Sequence, residues 1–207
     1  VDLEIKLKQA RTAGSENIII ATDGVFSMDG TYANLPEISR LAKIYDALVM
    51  VDDCHATGFV GTKGKGTSEY FGVNVDILTG TLGKALGGAI GGYIAGPQRV
   101  IDMLRQRARP YLFSNSLPPV AIAAGLEAIN IINESDYLRK KLHKNSIYWR
   151  KGLKALGFDL IEGEHPIIPV MLGDALLSQK MAERLFALGV YCLLYTSDAA
   201  DEWIGVV

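Results

Sequence analysis

DILTGTLGKALGGAIGGY, Asp76 to Tyr93, sets a single cation, Lys84, among closely spaced glycines, with hydroxyls at Thr79 and Thr81. Glycines at this density let the backbone reach φ > 0 and let a ligand or another segment approach closely. Asp76-Ile77-Leu78 reads as a short strand, so the glycines begin where it ends. In an open parallel sheet the carboxyl end of a strand is where ligands bind. A lysine there has three readings: phosphate binder, imine former or solvated surface charge. A phosphate loop of the form G-x-x-x-x-G-K-[ST] needs glycine at 78 and a hydroxyl at 85, and the residues are Leu78 and Ala85. A solvated lysine fits poorly where no other charge lies between Asp76 and Arg99. The imine former remains, and it needs an electronic partner elsewhere.

Outward from this stretch the chain alternates strand and helix. Residues 17–22 (NIIIAT) are a short apolar run suited to a buried strand, followed by turn signals at Asp23-Gly24 and Ser27–Gly30. Residues 35, 38, 41, 42 and 45 form a helical apolar stripe. Residues 48–51 (LVMV) are apolar without alternation, as in a parallel strand covered on both faces. Another strand is expected at 92–95, and a helix at 100–107 ended by Pro110. The alternation predicts an α/β fold with a mostly parallel sheet and helices on both faces.

Residues 118–133 begin with two prolines, tolerated at a helix start, and continue almost wholly apolar, which predicts a buried helix. Ser135 then caps a long helix that ends at Gly157, a position suited to a left-handed residue. Its basic residues, Arg139, Lys140, Lys141, Lys144, Arg150, Lys151 and Lys154, read as a solvated face. Strands at 158–161 and 167–172 and a helix at 178–188 open a second, smaller α/β unit.

A chain of 207 residues buries roughly 70% of its unfolded surface and needs no staples. Hydrophobic content of 49% with 21% charged residues suits a soluble globular protein. The net charge of −2 offers no electrostatic case for nucleic acid or an anionic membrane. The two cysteines, Cys54 and Cys192, make no disulfide framework, which fits a reducing compartment such as the cytoplasm. The opening VDLEIKLKQARTAG lacks an initiator Met and reads as the middle of a helix, so the chain is expected to be a fragment. A mitochondrial leader would precede it in a eukaryote.

Asp52-Asp53-Cys54-His55 leaves the LVMV strand, again at a carboxyl end. An Asp leaving a buried strand is costly without a cationic partner. A metal site is not supported, because His143 and His165 lack ligand spacing to 52–55, and no G-x-S-x-G elbow marks a serine hydrolase. Pyridoxal 5'-phosphate uses both the glycine bed and the acidic strand end. It needs a lysine for its imine, a carboxylate at its pyridine nitrogen, and donors around its phosphate. Thr81 and the glycine amides suit the phosphate. Spacing alone leaves His55 between a residue packed on the ring and a satisfied loop histidine.

DGVFSMDG (23–30), VDDCHATG (51–58), TGTLGKALGGAIGGY (79–93) and RQRARPYLFSNSLPP (105–119) together resemble the α-oxoamine synthase family of pyridoxal-phosphate enzymes, from about residue 1 to about 191. The last motif points to the branch that transfers an acetyl group to glycine. The resemblance implies an aminotransferase-like large domain of fold type I over 1–150, the beginning of a small C-terminal domain over 151–191, and a tail at 192–207 outside the family pattern. It implies that Lys84 forms the cofactor imine, that Asp52 pairs with the pyridinium, and that His55 and Ser27 contact the cofactor's 3-hydroxyl oxygen. It further implies that Thr81 contacts the cofactor phosphate, and that Ser114 and Asn115 reach the phosphate of the neighbouring subunit in a homodimer. The expected substrates are glycine and acetyl-CoA, and the expected product is 2-amino-3-oxobutyrate, in threonine breakdown. Two family features are missing: an aromatic residue stacked on the ring from upstream, and a carboxylate-binding arginine in the C-terminal unit, since Arg184 is the last arginine. The tail LLYTSDAADE resembles adapter read-through, and the chain as written is expected to lack turnover.

Overall fold

The computed structural model describes residues 2–87 and 90–194. Contacts divide the chain into two compact units, Val1–Ser27 with Thr31–Lys144, and Met28–Gly30 with Asn145–Val207. The expected tail at 192–207 lies outside the described residues from 195 onward.

The first unit opens with α1 (Asp2–Thr12), β1 (Ile19–Asp23), β2 (Val25–Phe26), β3 (Thr31–Tyr32), α2 (Leu35–Ile44) and β4 (Leu48–Asp52). It continues through α3 (Thr67–Phe71), β5 (Ile77–Thr81), β6 (Gly92–Ala95), α4 (Gln98–Arg107), α5 (Arg109–Phe113) and α6 (Pro119–Glu134). The main sheet has the order β1-β4-β5-β6, parallel across the first three strands and antiparallel at β6. Strands β2 and β3 form an antiparallel hairpin pair.

The core follows the apolar stripes. Leu7 of α1, Leu35, Leu41 and Ala42 of the α2 region, Ile20 of β1, and Val49 and Val51 of β4 bury against one another. Helix α2 starts where it does because the Asn34 side chain accepts from the Glu37 N–H at 3.3 Å, with Pro36 in its first turn. The end of α1 is tied to the turn before β4 by Arg11, which donates to the carbonyls of Tyr45 and Asp46 at 2.6–2.9 Å. Asp46 sits at φ 46°, an uncommon value for a non-glycine residue, and the arginine satisfies the carbonyls of this tight turn.

Several expectations need correction. LVMV does not alternate in sequence, but its burial does: Val49 and Val51 are buried while Leu48 is exposed, and Ile19 on β1 is 55% exposed. Helix α6 is formed as expected but is not buried. Val120 is 75% and Leu126 60% exposed, and only Ala121 and Gly125 are covered. Apolar character shows that a helix needs cover; it does not say which surface provides it. Helix α4 ends at Arg107, as expected ahead of Pro110, but Pro110 also opens a short helix that was not expected. Pro110 stands in the first turn of α5, where its missing N–H has no partner to lose. The β2–β3 hairpin and α3 are further elements, too short to carry a periodic signal in the sequence.

Helix α7 (Tyr137–Ala155) runs from the first unit into the second, which also holds β7 (Asp159–Leu160), β8 (Val170–Met171) and α8 (Ala175–Ala187). Ser135 accepts from the Tyr137 N–H at 3.2 Å, and Gly157 has φ 85°, so both ends of α7 lie where the sequence placed them. The two strands pair antiparallel and are shorter than expected. The basic residues of α7 are not one solvated face. Arg139 is half-buried and donates to the Ile132 carbonyl at 2.8 Å, and Arg150 donates to those of Ile161 and His165 at 2.8 and 3.2 Å.

Candidate active site

The register of the parallel strands lines up the candidate residues. Asp23 of β1 is opposite Asp52 of β4, and Asp52 is opposite Thr79 of β5, so three polar side chains stand in a row at the carboxyl ends. Here the chain must turn away from the sheet, and Asp23 and Asp52 escape full burial. Beyond β5 the glycine-rich turn carries Lys84 back over this edge. Its Nζ lies 2.9 Å from His55 Nε2, although the two residues are 29 apart in sequence.

The turn after β4 is built by hydrogen bonds. Asp52 Oδ1 accepts from the Cys54 N–H at 2.9 Å, and the Asp52 carbonyl accepts from the Gly24 N–H at 2.8 Å. The Asp53 carbonyl accepts from the N–H groups of Ala56 and Thr57, both at 2.9 Å, which winds residues 53–57 into a tight turn and presents His55 at its outer edge. Beyond the sheet, Leu82 and Leu86 bury beneath α6. A side chain at Gly125 would come within 3.0 Å of Leu82, so the helix backbone lies close over the lysine turn.

The electrostatics separate two neighbouring carboxylates. Burial works against the Asp52 charge, but hydrogen bonds from the Cys54 thiol and N–H, proximity of the Thr79 hydroxyl and the charge of Lys84 outweigh it, so Asp52 stays ionised below the usual carboxylate range. Burial pushes Asp53 the other way, upward, against the hydrogen bonds it accepts from Thr67. His55 is held below its ordinary value by burial and then by Lys84, while Asp23 and Asp52 pull in the opposite direction. Burial and the Asp52 carboxylate push the Cys54 thiol up to about 11.

The Thr79 hydroxyl lies near enough to Asp52 to favour its charge, yet its buried oxygen makes no hydrogen bond of proper geometry. Angle as well as distance defines a hydrogen bond, so this oxygen is a buried polar atom beside Asp52 without a well-formed bond. Thr81 uses its hydroxyl locally, donating to the Gly91 carbonyl and accepting from the Gly83 N–H, both at 3.2 Å, which shapes the turn before Lys84. Ser27 is half-buried just past β2, and Ser114 and Asn115 are exposed on the segment after α5.

The structure therefore gathers Asp52, His55 and Lys84 at one sheet edge, with Thr79 and Thr81 on the strand beside them. It adds Asp23, Thr79 and Asp53 as groups that shape the edge, none of which the motifs assign a role. Their signal is present in Asp52-Asp53: consecutive residues leaving a strand point to opposite sides, so one faces the edge and the other the interior.

The chain is similar to the 2-amino-3-ketobutyrate coenzyme A ligase of Escherichia coli K12, with 54% identity over 192 residues, covering 92% of this chain and 48% of that protein. It is similar to the mitochondrial 2-amino-3-ketobutyrate coenzyme A ligase of Mus musculus, with 48% identity over 93% of this chain and 46% of that one. An 8-amino-7-oxononanoate synthase of Thermosipho melanesiensis is 52% identical over 92% of this chain and 48% of that protein. This chain thus spans about half the length of the curated relatives it matches. Among solved structures, the serine palmitoyltransferase of Sphingomonas wittichii superposes with a TM-score of 0.87 at 31% identity, over 96% of this chain and 50% of that one. The S. paucimobilis serine palmitoyltransferase holding a PLP–myriocin aldimine superposes with a TM-score of 0.86 at 29% identity, over 97% of this chain and 55% of that one. The family model for aminotransferase class I and II matches residues 1–205, and with the parallel sheet edge and its lysine turn in view, this chain belongs to that family.

Proposed function

We propose that this chain carries the cofactor-lysine portion of a pyridoxal 5'-phosphate-dependent acyltransferase that condenses glycine with acetyl-CoA to 2-amino-3-oxobutyrate and CoA. The observation that carries the reading is the convergence of Lys84, His55 and Asp52 at one strand edge, with Lys84 Nζ 2.9 Å from His55 Nε2. The residues fit the cofactor on their own chemistry. An ionised carboxylate, an amine on a glycine-rich turn and the buried Thr79 oxygen without a well-formed bond are groups that suit a phosphorylated pyridine aldehyde.

When bound, pyridoxal phosphate supplies a protonated pyridine ring that stabilises negative charge at the glycine α-carbon. Asp52 holds the positive charge at the ring nitrogen, a role suited to a carboxylate that resists protonation. His55 orients the ring through its imidazole and, with Ser27, borders the 3-hydroxyl oxygen. Lys84 would anchor the cofactor, and its amine would be the group placed to accept the α-proton. Thr81 and the amides of the following turn border the phosphate.

Ser114 and Asn115 complete the phosphate site of a second copy, so the active form is a homodimer. Exposed Ile122, Leu126 and Ile129, which share one face of α6, support this reading, since an apolar helix face of this kind needs a partner. We place the protein in the cytoplasm of a bacterium, or in mitochondria if the source is eukaryotic; no described helix is long and apolar enough to cross a membrane. The large domain is assigned to 1–150 and the start of the small domain to 151–191.

A second reading, a sister synthase using another acyl-CoA, draws support from the 52% identity to an 8-amino-7-oxononanoate synthase. The test is reconstitution with pyridoxal phosphate, borohydride fixation and peptide mapping. Label is expected on Lys84 and absent from Lys84→Ala, and label elsewhere overturns the assignment. Acetyl-CoA and pimeloyl thioesters offered with glycine or alanine to a catalytically competent form then separate the two reactions.

A further inference from the structure

Asp53, beside the Asp52 of the cofactor reading, has a side chain with no place in that chemistry. It is fully buried, at 0% exposure, and its carboxylate lies on the interior side of the turn. Oδ2 accepts from the Thr67 N–H at 2.8 Å, and Oδ1 accepts from the Thr67 hydroxyl at 2.7 Å, across 14 residues of sequence. Thr67 is itself fully buried and stands at the first position of α3. The Asp53 backbone is equally engaged. Its N–H donates to the Thr79 carbonyl at 2.9 Å, and its carbonyl accepts from Ala56, Thr57 and the Thr57 hydroxyl.

The surroundings are shaped to this carboxylate. A Cβ on Gly24 would overlap Asp53 Oδ1, and one on Gly66 would overlap Oδ2. Gly66 also holds φ 101°, a conformation that suits glycine. A buried carboxylate is costly, and replacing such a group by an apolar one is often neutral or stabilising. Two glycines and a threonine arranged around it indicate that the group is kept for placement rather than for stability.

We propose that Asp53 is a positioning residue, a buried strut that fixes the 52–55 turn against α3 and so sets Asp52 and His55 toward Lys84. The proposal rests on the reading of those three residues as the cofactor site. Asp53 touches neither the cofactor nor the substrate. Its carboxylate pulls on one side of the turn while its backbone N–H holds β5 on the other, and Asp52 and His55 are carried between them. Misplacement of a positioned group by about 1 Å is enough to cost roughly 100-fold in a reaction.

Three substitutions test the proposal: Asp53→Ala removes the strut, Thr67→Val removes its hydroxyl partner at constant shape, and Asp53→Asn keeps an acceptor for the Thr67 N–H and a donor for its hydroxyl. The first readout needs no cofactor. Imidazole NMR of the full chain follows the His55 titration, which Lys84, Asp23 and Asp52 face. The expected result is a midpoint that moves up toward the ordinary histidine value in Asp53→Ala and Thr67→Val, and stays at the wild-type value in Asp53→Asn. The second readout is pyridoxal phosphate affinity by absorbance, expected to weaken roughly 10-fold or more in Asp53→Ala and to recover in Asp53→Asn.

A folded Asp53→Ala with wild-type His55 titration and wild-type affinity overturns the proposal. If Asp53→Ala does not fold, Thr67→Val decides in the same way, because its backbone bond to Asp53 remains. Failure of the wild-type chain to bind pyridoxal phosphate sinks the cofactor reading instead, and the His55 titration still judges the strut.

Discussion

Replacing Gly24 by alanine adds one methyl group at the most closely filled point beside the candidate site. Gly24 is buried, and its N–H donates to the Asp52 carbonyl at 2.8 Å. The new methyl would overlap Asp53 Oδ1 and lie 2.5 Å from Thr67 Oγ1 and 3.0 Å from Thr67 Cγ2. Neither neighbour is the free end of a flexible chain, because the two are joined to each other at 2.7 Å. Both partners of that bond are struck, so relief means a shifted backbone, at about 1–3 kcal/mol for overpacking, together with loss of a hydrogen bond to a buried carboxylate, at about 1.5–3 kcal/mol. A combined cost of about 3–5 kcal/mol is expected, a large share of the roughly 5–15 kcal/mol of a typical domain. Urea unfolding followed by far-ultraviolet circular dichroism should show a midpoint lowered by about 2 M at an ordinary slope. A loss below about 1 kcal/mol would refute the reasoning, since it would mean that the turn moves freely around Asp53.

Gly152, inside α7, has open space where an alanine methyl would stand, with nothing within 4 Å, so Gly152→Ala should stabilise the chain by about 0.5–1 kcal/mol in the same urea assay. The Cys54 thiol, pushed up to about 11, should react with iodoacetamide at pH 8 roughly 100-fold more slowly than the exposed Cys192, as read by peptide mass spectrometry; equal rates would contradict the Asp52 contact. His55 takes up its proton below the ordinary 6.5 in the folded chain. The unfolded chain therefore binds more protons in the window from 6.5 downward to the folded value, and stability is lost as pH falls through it. His55→Asn should flatten that part of the stability-pH curve, and an unchanged slope would remove His55 as its cause.

Much of the site is legible in the chain before folding because its chemistry is concentrated in short motifs. Lys84 among glycines, Asp52 at a strand end and His55 three residues later are local patterns, and the structure brings them to one sheet edge. Thr79, Asp23 and Asp53 are less legible. Their importance lies in partners far along the chain: Asp23 and Thr79 flank Asp52 only through strand register, and Asp53 meets Thr67 only because α3 folds back beneath the turn.

The sequence by itself determined the α/β alternation, the positions of β4 and β5, the caps of α7, and the residue types that a pyridine aldehyde requires. These follow from periodicity, from turn residues and from side-chain chemistry, which act over a few positions. Tertiary structure alone decided which face of each strand is covered, that α6 leaves Val120 and Leu126 exposed, and that Arg139 and Arg150 hold carbonyls rather than face water. It also decided that of two adjacent aspartates one is ionised at the edge while the other is locked in the interior. The physical reason is that burial and hydrogen-bond partnership are properties of the neighbours a residue acquires in space, and two like residues separated by one peptide bond acquire opposite ones.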